Sequence, residues 1–138
     1  MASQVEHANL SVRDVDATLR FLLTALPDWR VRHDARPVGG SWLHVGNDET
    51  YLALNQMEDE GTGSFAHSRP GFNHVGFVVD DAPALLARML AAGYRQGYEA
   101  APHPYRTRVY LLDDDGIEWE FVSYSSDLPA ERNDYELG

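Results

Sequence analysis

The sequence predicts an α+β fold built from two like halves, and three observations predict it. Residues 7–14 (HANLSVRD) and 74–81 (HVGFVVDD) share a His, an alternating apolar pattern and an Asp seven residues after the His, so an offset of 67 carries His7 onto His74 and Asp14 onto Asp81. The same offset lays residues 46–55 over 113–122, with Asp48 on Asp115 and Ala53 on Glu120. Each half also reads as strand, helix, then three strands.

The elements follow in order. Residues 5–12 alternate as a strand, with Ala8, Leu10 and Val12 on one face and His7, Asn9 and Ser11 on the other. Asp14 suits a helix N-cap, with Asp16 at the positive end of the dipole. Val15, Leu19, Leu22, Leu23 and Leu26 recur at helical spacing until Pro27 stops the run. Residues 29–33 read as a second strand and Gly39–Gly40 as a turn. Residues 42–45 and 50–55 form a hairpin around Gly46 to Glu49. In the second half, residues 73–79 are a strand, Asp81 caps a helix with Pro83 in its first turn, and Gly93 ends it. That helix carries an apolar stripe of Leu85, Leu86, Met89 and Leu90. A short strand is expected over 97–100, then a hairpin of 106–112 and 117–124. The boundaries are a first module over 4–57, a linker over 58–70 (Gly/Ser-rich from Gly61), a second module over 71–124, and a polar, acidic tail over 125–138 that reads as an exposed cap or arm.

Composition bounds the partners. The chain has 138 residues, enough for a sizeable core, and a net charge of -11, which argues against nucleic acid and anionic membrane. All eleven basic residues are arginines, so Schiff-base chemistry is excluded. With no cysteine there is no disulfide, thiolate nucleophile or zinc–thiolate site. No apolar run approaches membrane-spanning length, and the expected setting is the cytoplasm.

Strand alternation puts His7, His74, Glu120, Tyr110 and Arg108 on sheet faces that the helices do not cover. Two imidazoles and one carboxylate, His7, His74 and Glu120, suit a divalent ion such as Fe, Mn, Zn, Ni or Co with positions open to a small substrate. Arg106, Arg108 and Asn9 are the candidate substrate contacts, the arginines for a carboxylate or phosphate. His44 reads as a half-buried strand residue, His33 and His103 as loop or edge residues, and His67 as a solvated linker residue. Residues 113–116 (DDDG) read as a turn: the twelfth position of a calcium loop begun at Leu111 is Val122, and a strand follows.

The stretches VEHANLSVRD, NHVGFVVDD and YLLDDDGIEWEFV resemble the vicinal oxygen chelate superfamily, which includes glyoxalase I, bleomycin-resistance proteins, fosfomycin-resistance thiol transferases and extradiol dioxygenases. The resemblance covers about residues 4–124. It implies two βαβββ modules forming a cupped mixed sheet with helices outside, a metal at His7, His74 and Glu120, and a homodimer that the tail can clasp. In glyoxalase I a fourth ligand, usually Glu, comes from the first module's last strand, where this chain has Ala53. The remaining set is similar to extradiol dioxygenases and fosfomycin-resistance enzymes, with a Tyr ten residues before the Glu as Tyr110 precedes Glu120, and this resemblance makes Tyr110 the candidate acid or hydrogen-bond donor. The stretch HPYRTRVY lacks the lysine of the fosfomycin-resistance enzymes. The function expected is metal-dependent dioxygenase, lyase or thiol-transferase chemistry on a small oxygen-chelating substrate. The alternative is a metal-free, bleomycin-resistance-type binding protein whose cleft is lined by Trp42, Tyr51, Phe72 and Tyr110. A scaffold role has nothing in the chain to favour it.

Overall fold

A computed structural model describes residues 4–57 and 74–137. The expected linker with His67, and Phe72 and Asn73, lie outside the described residues. The chain divides into two compact units, Met1–Thr62 and Gly63–Gly138.

The first unit begins with β1 (His7–Val12), which buries Leu10 and Val12 and leaves His7, Asn9 and Ser11 exposed. Helix α1 (Val15–Ala25) starts at Asp14, whose carboxylate accepts from the Ala17 N–H at 3.2 Å. Its buried face is Val15, Thr18, Phe21, Leu22 and Ala25. Strand β2 (Arg30–Asp34), a short 3-10 turn (Arg36–Val38), β3 (Trp42–Gly46) and β4 (Tyr51–Gln56) complete a sheet of order β1-β4-β3-β2. Strands β1 and β4 run parallel, and β3 runs antiparallel to both β2 and β4. Leu43, Val45, Leu52 and Leu54 are 0–3 % exposed and form the core beneath α1.

The second unit repeats this plan. Strand β5 (Val75–Val78), α2 (Ala82–Ala91), β6 (Arg95–Gln96), β7 (Arg106–Leu112) and β8 (Glu118–Tyr124) give the order β5-β8-β7-β6. Asp81 caps α2 by accepting from the Ala84 N–H at 2.9 Å. Helix α2 buries Ala82, Leu85 and Met89 against Val109, Leu111, Trp119 and Phe121, whereas Leu90 is 46 % exposed. The repeat reaches individual hydrogen bonds. Val15 N donates to Gln56 Oε1 at 2.9 Å, and Ala82 N donates to Ser123 Oγ at 3.0 Å. In each unit the end of the central strand thus satisfies the first orphan N–H of the helix.

One expectation is corrected. The short strand lies at Arg95–Gln96, paired with Leu112 and Leu111, and residues 97–100 are not strand. The tail, read as an exposed cap or arm, lies against its own unit as a cap. It forms α3 (Pro129–Arg132) and folds back on its own unit, where Asp134 Oδ2 meets His103 Nε2 at 3.0 Å. Because His103 Nδ1 accepts from Tyr105 N at 3.1 Å, Nε2 carries the proton and donates to Asp134. The His103 side chain is 2 % exposed, so this loop residue is a buried latch.

Gly46 ends β3 where the chain runs against Tyr51. A Cβ there would sit 2.1 Å from Thr50 O and 2.6 Å from Tyr51 Cα. Backbone cannot yield as a flexible side chain can, so Gly46→Ala is expected to cost about 1–3 kcal/mol or more, read as a lowered urea midpoint.

Candidate functional site

On the face of the second sheet away from α2, β7, β8 and the residue before β5 bring three of the expected residues together. His74 stands just before β5, Glu120 lies on β8 and Tyr110 on β7, directly across from Glu120. His74 Nε2 lies 3.0 Å from Glu120 Oε2, and Tyr110 Oη donates to Glu120 Oε1 at 3.0 Å. Both carboxylate oxygens are thereby held. Gly76, paired with Glu120, leaves room for this, since a Cβ there would lie 3.1 Å from Oε2. Tyr110 meets His74 edge-on at 5.7 Å and Tyr98 edge-on at 5.3 Å, so its ring is fixed on both sides. Its phenol is pushed up to about 12, first by burial, then by the bond to Glu120 and that carboxylate's charge, with Arg108 opposing. A phenol held so far up stays protonated across the physiological range and serves as a donor.

The arginines part company. Arg108 is half-buried on the same strand face as Tyr110, and among the described residues it has no ion pair or hydrogen bond. Arg106 is committed elsewhere: its Nη1 donates to Arg132 O at 3.1 Å and Asp134 O at 2.6 Å, and its guanidinium lies over Tyr135 at 5.4 Å. In this structure the expected substrate contact Arg106 anchors the tail.

His7 and Asn9 belong to the first unit. His7 Nδ1 is 2.9 Å from Glu6 Oε1, and its ring stacks on Tyr51 at 4.8 Å and 9°. Glu6 thus occupies one nitrogen and leaves Nε2 for another partner. Asn9 accepts from the Asn55 amide. Asn9 pairs with Ala53 as Gly76 pairs with Glu120, so the repeat holds in register while its bulk is reversed.

Two residues of note were not legible as site residues. His44 lies opposite Ala53, the place Tyr110 holds opposite Glu120. The second hairpin is one residue longer, Leu112 facing Glu118 where Gly46 faces Tyr51, so a single offset misaligns β3 with β7. Asp113, read only as part of a turn, is 5 % exposed. Its Oδ1 accepts from Asp115 N and Ile117 N at 2.9 Å, and its Oδ2 from Trp119 Nε1 at 3.0 Å. Burial pushes this carboxyl up, while the three donors pull it down.

Among the described residues no three His, Cys, Asp or Glu side chains gather as a ready metal cage. Two of the donors, His74 and Glu120, nonetheless have a spacing that two ligands of one divalent ion could take. Two ligand atoms each about 2.0–2.2 Å from one ion lie roughly 2.8–3.6 Å apart at angles of 90–110°. The His74–Glu120 separation of 3.0 Å falls in that window.

Comparisons with known proteins agree with this architecture. A glyoxylase/bleomycin resistance protein/dioxygenase domain from Frankia sp. EAN1pec is 24% identical with a TM-score of 0.72, covering 97% of this chain and 100% of its own. The fosfomycin resistance protein FosX of Listeria monocytogenes is 16% identical with a TM-score of 0.69, covering 96% and 97%. FosX of Mesorhizobium loti is 22% identical with a TM-score of 0.65, covering 96% and 98%. At these identities the likeness is one of fold. No curated protein matches in sequence. The family model that matches residues 4–121 adds what fold alone cannot, and the chain belongs to the Glyoxalase/Bleomycin resistance protein/Dioxygenase superfamily.

Proposed function

We propose that the chain is a divalent-metal-dependent enzyme acting on a small substrate that presents one or two oxygens. His7, His74 and Glu120 would hold the ion, whether Fe, Mn, Zn, Ni or Co. The observation that carries this reading is the convergence of His74, just before β5, with Glu120 on β8 and Tyr110 on β7, Glu120 being gripped through both oxygens. A binding-only protein has no physical need to build that triad. When bound, the ion supplies Lewis acidity to a chelated oxygen.

The remaining work falls to the chain itself. Tyr110 fixes the Glu120 carboxylate and keeps its own proton, ready to donate to a substrate oxygen. Glu6 holds one nitrogen of His7, and Asn9 offers an amide on the same strand face. Arg108 is the half-buried cation available for a substrate carboxylate or phosphate. The choice among dioxygenase, lyase and thiol-transferase chemistry follows from the metal and the substrate. Homodimer formation belongs to the same reading and rests on the resemblance, and a cytoplasmic setting is part of the proposal; no described helix is long and apolar enough to cross a membrane.

A second reading, a metal-free binder of small molecules, is favoured by the rings of Tyr51, His44 and Trp42, which neighbour one another at 4.5 and 4.6 Å on the first sheet. Calorimetric titration of the metal-stripped chain with Mn(II), Fe(II), Zn(II), Ni(II) and Co(II) separates the two. One equivalent bound by the wild type, and binding weakened by more than about a hundredfold in both His7→Ala and His74→Ala, is expected. Binding of no ion leaves the second reading in front.

A further inference from the structure

The chain leaving β6 meets the second sheet through Gly97, Tyr98 and Glu118, none of which the proposed function uses. Gly97 N donates to Tyr110 O at 2.8 Å, which carries the pairing of β6 with β7 one step past the end of the strand. The next N–H leaves the ladder: Tyr98 N donates to Glu118 Oε2 at 2.9 Å. Glu118 stands on β8 two residues before Glu120, so strand alternation sets both carboxylates on one face. With its backbone turned in this way, the Tyr98 ring meets Tyr110 edge-to-face at 5.3 Å and 80°.

Gly97 is what admits the Glu118 carboxylate. A Cβ there would lie 2.4 Å from Glu118 Oε2 and 3.3 Å from Cδ. Gly97 has no positive φ, so the bare backbone answers the approach of Glu118 and not a strained turn. The two carboxylates of β8 therefore do different work. Glu120 receives Tyr110 and faces His74, whereas Glu118 takes a backbone N–H. Tyr98 is 57% exposed and Tyr110 6%, so the outer ring faces water and the inner one is sheltered. An edge-to-face pair shifts an equilibrium by roughly two- to tenfold.

We propose that Tyr98 is a positioning residue for Tyr110, holding its hydroxyl on Glu120 and screening it from water, and that Gly97 and Glu118 act through Tyr98 by setting where its backbone turns. The inference deepens the proposed function, since it rests on Tyr110 being the donor, but no metal takes part in it.

The test uses the full chain in EDTA, isotopically labelled at the tyrosine Cζ carbons and dissolved in equal parts of light and heavy water. The Tyr110 Cζ resonance then reports how fast the hydroxyl proton exchanges with solvent. Exchange requires the hydroxyl to leave Glu120, so its rate follows that local opening. Tyr98→Ala is expected to speed exchange roughly two- to tenfold, and Tyr98→Phe, which keeps the ring, to leave it unchanged. Gly97→Ala is expected to speed it without removing a charge, because only the movable end of the Glu118 side chain has to give way. Glu118→Gln keeps an oxygen for the Tyr98 N–H and is expected to stay near the wild type. Backbone amide exchange in β7 and β8 and the urea midpoint are expected to be unchanged in all four variants, which separates positioning from a loosened sheet. A Tyr110 rate unaltered by Tyr98→Ala, or raised only in step with the β7 and β8 amides, would overturn the proposal. An effect of Tyr98→Ala with none of Gly97→Ala would overturn the part given to Gly97 and Glu118. A failed metal titration leaves these rates as they are, so the two readings fail separately.

Discussion

Glu120→Gln is expected to abolish tight divalent-metal binding while leaving the fold intact. The amide keeps the shape of the carboxylate and an oxygen to accept from Tyr110, whose hydroxyl bonds Oε1 in the native chain. What it loses is the anionic donor facing His74 Nε2. Residues that merely orient ligands change metal affinity by about 10–100-fold. Loss of the carboxylate itself is expected to exceed that range, measured by calorimetry on the metal-stripped protein. The unfolding free energy of the metal-free variant is expected to stay within about 1 kcal/mol of the wild type. An unchanged metal affinity would remove Glu120 from the ligand set.

The second large effect concerns the turn that aims Glu120. Asp113→Ala is expected to destabilise the second unit by about 3–5 kcal/mol, because it strips acceptors from two backbone N–H groups and the Trp119 indole at once. Trp119 is fully buried and Ile117 nearly so, so water cannot replace the lost carboxylate there. Against a total stability of about 5–15 kcal/mol this is a large fraction. Asp113→Asn keeps an acceptor for the two backbone donors but sets an amide donor or a poorer acceptor against the indole. It is expected to cost less, and urea unfolding followed by tryptophan fluorescence ranks the two variants. Equal stability of all three proteins would show that the carboxylate does not hold the hairpin.

Much of this was legible in the residues. The paired His and Asp at one offset located both first strands and both helix caps, because a strand's alternation and an N-cap are local properties. Glu120 and Tyr110 fell on the correct face for the same reason. What could not be read depended on distant partners. Strand Arg95–Gln96 has two residues and no periodicity of its own; it exists because Leu111 and Leu112 offer it an edge. The tail's acidic composition reads as solvated, yet its carbonyls and Asp134 satisfy Arg106 and His103. His44 was hidden by the extra residue in the second hairpin, which breaks the offset between β3 and β7.

The most direct measurement of the central claim is the metal content of the wild-type chain, purified without chelator or affinity tag and assayed by elemental analysis. Close to one equivalent of a single first-row divalent metal per chain, absent from Glu120→Ala prepared alongside, is the result expected. The metal found then selects the chemistry to assay. No metal in either protein, even after incubation with Fe, Mn, Zn and Ni, would contradict the three-ligand site and leave a ligand-binding protein in its place.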